Sequence, residues 1–253
     1  MLSLDEYIKR GIDVCDCHVH WFGRKGIASY TKPHEDMIVM VENNLKYQND
    51  DLLPYFEDLF TRGIPKNSHL LGIGKDEEET EKIYWNYKDK LFGIGEVKAY
   101  KHYKNSDRIE KEHFNTGLLN WTTHYGLPIF VHWDLNGKHD KELYDIIKSN
   151  RNIPFILCHC GMNDIDDQKT AFNKSIELQT TLPNLWLDIS WVALEYFSNH
   201  PTELARIEMP DHVLVGTDFS SNTKDFDKTY DLFRKIYTRF NVQSNLNNLQ
   251  KSR

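Results

Sequence analysis

The chain has little of what would take it outside the ordinary globular class. Its 253 residues include only 4 cysteines, 8 prolines and 13 glycines, too few for a disulfide-stapled, collagen-like or low-complexity fold. No window approaches the roughly 20 continuous apolar residues that a membrane-spanning helix needs. The opening MLSLDEYIKRGIDV carries acidic residues and no apolar run, so it does not read as a secretory signal. Together with the sparse cysteines, this gives the expectation of reduced thiols and a cytoplasmic location. Basic residues are also in deficit, 31 against 38 acidic ones for a formal charge of −7. That balance argues against a non-specific nucleic-acid or membrane-surface binder, although a local basic patch at a site is compatible with it. No apolar run is followed by G-x-G-x-x-G or G-x-x-x-x-G-K-[ST], and GIGK at 72–75 lacks the spacing of a phosphate loop.

What is present is a foldable core. Hydrophobic residues make up 40% of the chain and aromatics 13%, and a chain this long buries roughly three quarters of its unfolded surface. Short apolar runs bounded by Gly, Pro, Asn or Asp predict strands at 12–19, 69–74, 92–98, 128–133, 153–159, 185–191 and 212–218. The ambiguous segment 35–48 supplies an eighth if 37–41 is a strand. Helical patterns fall near 51–62, 77–90, 108–125, 138–150, 165–181, 193–206 and 224–240. Strand–helix–strand at this rhythm demands parallel pairing with crossover helices, and eight such units in about 250 residues is the size of a (β/α)8 TIM barrel. The expected fold is therefore an α/β barrel in a single domain over 1–253; a doubly wound open sheet is the competitor. The polar, Asn-rich stretch at about 241–253 is expected to be a frayed tail.

The sharpest local signal is Asp16-Cys17-His18-Val19-His20, closing the first strand. In a strand, residues i and i+2 face the same way, so His18 and His20 share one face while Cys15, Cys17 and Val19 share the other. Paired imidazoles of this kind suit zinc and other transition metals. Alone, H-x-H is a weak motif in a chain with 12 histidines. Four further groups strengthen it: Glu96 in GIGEVK, His132 in PIFVH, His159 in FILCH and Asp218 in VLVGTD, each at the C-terminal end of an apolar run. That is the end where barrel enzymes carry their sites. Any one of them has a bland reading as a loop hydrogen-bonding partner. Buried together without a cation they would carry an unmet desolvation cost. The expected cofactor is one or two divalent ions, zinc foremost, with manganese, iron or cobalt also suited to such ligands.

This ordered set resembles the amidohydrolase superfamily, metal-dependent hydrolases on a distorted (β/α)8 barrel, and the resemblance spans nearly the whole chain. GIGEVK followed by PIFVH looks like the TatD-type hydrolases, in which a Glu at this place bridges two metals. NLWLDISW, CHCG and VLVGTDFS look more like the amidohydrolase-related branch, which includes lactonases and decarboxylases of small carboxylic acids. The resemblance implies His18, His20 and Asp218 as the core metal set, with His132 and Glu96 completing a first or second site. It implies His159 as a metal ligand or substrate-orienting catalytic group. Many binuclear relatives carry a carbamylated lysine where this chain has Glu96, and Lys98 is the reserve candidate. Asp218 is the expected catalytic carboxylate, taking a proton from metal-activated water and returning it to the leaving group. The leading reaction is hydrolysis of an amide, ester or lactone bond in a small anionic molecule. The alternatives are a TatD-like phosphodiesterase acting on nucleic-acid ends, a metal-dependent decarboxylase, or a non-enzymatic metal-binding interaction protein. A homo-oligomer is compatible with the sequence.

Around these groups, Trp21, Trp133 and Trp191 sit at or just beyond strand ends, either packing the barrel rim or walling a substrate pocket. Arg24, with Lys25, Lys101 and Lys104, lies in loops on the same presumed face and is the candidate anion-binding residue; solvated loop cations are the plainer reading. Asp188 and Ser190 either line the cavity or hydrogen-bond neighbouring strands. The four cysteines alternate with the inward-facing residues and are expected to pack as small apolar groups against the surrounding helices.

Overall fold

The structure, a computed structural model, describes residues 14–21, 35–41, 56–57, 59, 69–71, 77–98, 116–135, 140–163, 167–219 and 226–251. Eight strands form one sheet in chain order: β1 (Val14–Trp21), β2 (Glu35–Val41), β3 (His69–Leu71), β4 (Leu91–Lys98), β5 (Ile129–His132), β6 (Phe155–Leu157), β7 (Leu185–Ile189) and β8 (Val213–Val215). Every neighbouring pair is parallel. The last strand returns to the first through a bridge between Val19 and Phe219. Two backbone hydrogen bonds carry that seam, from Asp218 N to His18 O at 2.7 Å and from His20 N to Phe219 O at 2.8 Å. This is the distorted (β/α)8 barrel expected from the sequence. The runs IFVH, FIL, LWLDI and VLV are buried along their whole lengths, as parallel strands covered on both faces must be.

The connecting helices are α1 (Glu77–Tyr87), α2 (Thr116–Tyr125), α3 (Asp140–Ser149), α4 (Gln168–Thr181), α5 (Val192–Asn199) and α6 (Phe226–Tyr237). Their sequences carry their own stops and starts. Asp167 caps α4 by accepting from the amides of Lys169 and Thr170, which satisfies N–H groups the first helical turn leaves open. In α3, Asp140 and Glu142 open the helix, Lys148 closes it, and Leu143 and Ile147, four apart, are its buried residues. No helix among the described residues is long and apolar enough to cross a membrane.

Three expectations need correction. The stretch read as a frayed tail is largely helical, α7 (Val242–Lys251), and buries Val242, Leu246 and Leu249. Those residues recur at i, i+4 and i+7, an apolar stripe diluted by asparagines but still helical in period. Asn245, on the same buried side, donates to the carbonyls of Pro210 and Val213 and ties the helix to β8. The predicted helix at 193–206 ends at Asn199, and a separate 3-10 turn follows at Glu203–Arg206. The sixth strand stops at Leu157, before the histidine expected to end it. Of the predicted helix at 51–62, only residues 56–57 and 59 are described, and these are helical.

Candidate active site

The strand ends bring the expected histidines and carboxylates into one cluster. His18 and His20 project together from β1, their Nε2 atoms 3.1 Å apart. Asp218, three residues past β8, places Oδ1 at 2.7 Å from His20 Nε2 and 3.3 Å from His18 Nε2. Donors on a tetrahedral ion with bonds of about 2.1 Å lie roughly 3.4 Å apart, so this triangle is slightly tighter than the spacing a bound ion sets. Glu96 from β4 faces both halves of the cluster. Its Oε2 lies 3.9 Å from His20 Nε2, and its Oε1 lies 2.7 Å from His132 Nδ1 and 3.5 Å from His159 Nε2. The donor atoms of His18, His20 and Glu96 fall within 4.8 Å of one another, and so do those of Glu96, His132 and His159.

Local backbone irregularities aim these groups. Between Asp16 and Val19, β1 uses three residues where β2 uses two, and β4 does the same between Ile94 and Val97 against β5. Such bulges re-aim side chains at barrel rims. In β4 the bulge holds Gly95 at φ 144°, and a Cβ there would meet Phe130 at 2.8 Å. Gly216 is required for a different reason: a Cβ on it would meet the His18 amide nitrogen at 2.4 Å, so only glycine lets β8 approach β1 beneath the metal-ligand candidates. His159, Cys160, Trp191 and Asp218 all have positive φ, between 45° and 57°. Four non-glycine residues in that sparsely populated region, at consecutive strand ends, mark the rim as the strained part of the barrel.

A second layer of polar groups lies behind the cluster. Asp188 Oδ2 contacts His18 Nδ1 at 2.6 Å and Ser190 Oγ at 2.5 Å, and Ser190 Oγ lies 2.8 Å from His159 Nδ1. The residue types of a serine-hydrolase triad are all here, but the serine sits between the acid and the histidine and is fully buried; Ser190 is a connector, not a nucleophile. Asp16 accepts from Thr217 N and Thr217 Oγ1 at 2.8 and 2.7 Å. Asp134 Oδ1 lies 3.5 Å from His132 Nε2. Asp16 and Asp134 were not singled out from sequence. The signal for Asp16 was a carboxylate inside an apolar strand, which is costly without buried partners.

The electrostatics follow from this packing. Burial pushes the His132 imidazole toward neutrality, but Glu96 and Asp134 outweigh it and hold the ring up at about 10. Burial would raise the Asp218 carboxyl; His20, His18 and His159 overcome that and hold it down at about 2. For His159 burial prevails over the carboxylates, and the ring is held below its ordinary value, so it stays neutral. Burial lowers His18 and is outweighed by Asp188 and Asp218.

The remaining candidates divide. Trp191 is 37% exposed and its ring meets His159 edge-on at 5.2 Å. Trp133 is fully buried in the core, which fits rim packing and leaves it no face for a substrate. Trp21 ends β1, and its side chain, like that of Lys98, lies outside the description. Arg24, Lys25, Lys101 and Lys104 also lie outside the described residues. All four cysteines are free and buried, but Cys158 departs from the expectation that they face the helices. The chain leaves β6 before it, and its thiol bonds to Glu96; burial first, and then Glu96, push that thiol well up.

Parallel strands ringed by helices, with a histidine–carboxylate cluster at their C-terminal ends, define the class: a barrel hydrolase. The chain belongs to the amidohydrolase family, whose model, described as "Amidohydrolase", matches residues 75–235, nearly two thirds of its length. Solved structures share the fold at low identity. One is an amidohydrolase from Burkholderia multivorans with bound zinc, 10% identical over 92% of this chain and 94% of that one, at a TM-score of 0.60. Another is a probable 2-pyrone-4,6-dicarboxylic acid hydrolase from Acinetobacter baumannii with citric acid bound, 10% identical over 92% and 95%, at 0.58. A dihydroorotase matches at 0.63, 12% identical over 94% and 82%. No curated protein matches the chain.

Proposed function

We propose that this hydrolase is metal-dependent and cleaves an amide, ester or lactone bond in a small anionic molecule by means of an activated water. The observation that carries the reading is the charge balance of the barrel. Asp16, Glu96, Asp134 and Asp188 are buried, and Asp218 is nearly so, whereas no lysine or arginine is buried among the residues whose burial is described. Buried carboxylates without compensation cost several kcal/mol each. The positive charge available inside is a proton on histidine, and the proton that His132 holds between Glu96 and Asp134 stands where a cation's charge would act.

The donor chemistry fits a divalent ion. His18 and His20, through Nε2, and Asp218, through Oδ1, would hold it; Glu96 and His132 would complete that site or a second one, and zinc is the ion such ligands favour. Bound there, such an ion would acidify a water and polarise the bond under attack. Asp218 would work through Oδ2, which lies 4.0 Å from His159 Nε2, accepting a proton and later passing it to the leaving group. His159 presents a neutral Nε2 to orient the substrate. The four buried free thiols support a reducing, cytoplasmic setting.

The test is metal content and chelation. Purified protein should carry one or two equivalents of a divalent metal, lose hydrolysis of a lactone and ester panel on chelation, and recover it when zinc, manganese or cobalt is restored. Full activity in chelated, metal-free protein would overturn the proposal. The stoichiometry also discriminates, because Glu96 belongs to two three-donor groups. Two equivalents together with degradation of single-stranded DNA would favour the TatD-like phosphodiesterase; one equivalent favours the amidohydrolase-related branch.

Substrate recognition is assigned to Trp191, as an apolar wall beside His159, and to Arg24, as an anion contact. The dicarboxylate named for one structural neighbour supports an anionic substrate. Trp191→Ala and Arg24→Ala should each raise KM on the order of 10-fold with a smaller change in kcat. Steady-state kinetics with an unchanged KM would remove that residue from the pocket.

A further inference from the structure

The seventh strand supplies no member of the proposed cation set, yet the hydrogen bonds at its end reach two of the imidazoles. Asp188 Oδ2 receives His18 Nδ1 at 2.6 Å, Ser190 Oγ at 2.5 Å and the His159 backbone amide at 3.4 Å. Ser190 Oγ is in turn 2.8 Å from His159 Nδ1. All four residues are 2% exposed or less, so water is poorly placed to substitute for any partner, and the positions of the protons follow from the inventory of donors. A carboxylate oxygen only accepts, so the 2.6 Å contact requires a proton on His18 Nδ1. The single serine hydroxyl proton is taken by the same carboxylate at 2.5 Å. Ser190 Oγ therefore accepts from His159, and the proton of that 2.8 Å contact belongs to His159 Nδ1. In its neutral form each ring is then left with Nε2 bare, and those are the atoms that meet Asp218 and Glu96 in the pocket.

We propose that Asp188 and Ser190 are positioning residues that fix His18 and His159 with the proton on Nδ1, so that both Nε2 lone pairs converge on the pocket. One carboxylate thus serves two rings, directly for His18 and through a hydroxyl for His159. Its contact with the His159 amide also fixes the left-handed turn from which that ring projects. Partners of this kind set the tautomer and orientation of ligating histidines in general. The assignment concerns the same pocket as the proposed hydrolase, but its first readout is ring protonation in the full-length protein after chelation, which needs neither metal nor substrate.

The experiment is a long-range ¹H–¹⁵N correlation spectrum of the chelated protein at about pH 8.5, above the ordinary histidine range. It is paired with zinc affinity by chelator competition. His159 should carry its proton on Nδ1, and His18 should be protonated there whatever its charge. Ser190→Ala should let His159 populate the Nε2–H form and, because the hydroxyl also bonds the carboxylate that holds the ligand candidate His18, weaken zinc about 10-fold; Ser190→Thr, which keeps the hydroxyl, should restore both. A wild-type His159 protonated on Nε2, or a His18 bare at Nδ1, overturns the proposal. So does a Ser190→Ala protein whose His159 tautomer is unchanged, whatever its zinc affinity. If Ser190→Ala fails to fold, the wild-type spectrum decides alone. A wild type with the expected tautomers and no zinc binding would count against the metal-dependent reading and leave this one standing.

Discussion

Asp218→Asn should lower kcat by about 10³- to 10⁴-fold on any ester or lactone the wild type hydrolyses, at the upper end of what a positioned acid–base group contributes. Thermal unfolding should stay near that of the wild type. The substitution is chosen for its backbone. Asp218 sits at φ 57°, a left-handed angle that asparagine tolerates nearly as well as aspartate, whereas alanine would add strain unrelated to chemistry. An amide also keeps an oxygen for the contact that Oδ1 makes with His20 and His18 at 2.7 and 3.3 Å, so a metal should still bind, though less tightly. What disappears is the charge and the proton-accepting ability of Oδ2. The imidazoles around Asp218 hold its carboxyl at about 2, so the wild-type group is fully ionised at any pH used for assay. Turnover within a few-fold of wild type, with metal content matched, would remove Asp218 from the chemistry.

Much of this architecture was legible because seven short apolar runs read as strands and only the segment at 35–48 was ambiguous. A parallel strand covered on both faces leaves a compact hydrophobic word such as IFVH or VLVG, and the groups at the ends of those words became the cluster. The parts that were not legible depend on backbone detail below the resolution of periodicity. Alternation assumes one residue per pleat step, and β1 and β4 each insert an extra one. His18 and His20 still face each other because both follow the start of the bulge. Cys158 was assigned to the helix side by the same counting, but strand geometry ends at Leu157, so alternation no longer places the next side chain, and its thiol reaches Glu96. Asp188 and Ser190 were visible as polar residues on an apolar strand without a clear choice between cavity and neighbouring strand. Only coordinates show that they bridge to two histidines 170 and 31 positions away. The helix at 242–251 was missed because asparagine dilutes an apolar stripe that packing, not intrinsic propensity, stabilises.

Asp16→Ala should be the most damaging single change outside the catalytic set, because it strikes the thinnest part of the barrel. Among the described residues, the seam between β8 and β1 has one bridge and two backbone hydrogen bonds. Asp16 adds to it the Thr217 amide at 2.8 Å and the Thr217 hydroxyl at 2.7 Å, and also receives the His18 amide at 3.3 Å. Alanine would leave these donors buried and unsatisfied, each costing about 1–3 kcal/mol before relaxation. A net loss of about 3–5 kcal/mol is expected, equivalent to a fall of roughly 6–20 °C in Tm for a chain of this size. The same bonds hold His18 beside Asp218, so zinc affinity should fall together with stability. Asp16→Asn separates the two contributions. Its amide oxygen can still accept from the Thr217 and His18 amides, and its amide nitrogen can donate to the Thr217 hydroxyl oxygen, so it should recover much of the lost stability without the charge. Differential scanning calorimetry beside zinc titration reads both quantities. An Asp16→Ala protein that melts within about 2 °C of the wild type would show that the bridge and its two backbone bonds hold the seam without help, and that the carboxylate at position 16 owes its burial to something other than the meeting of the first and last strands.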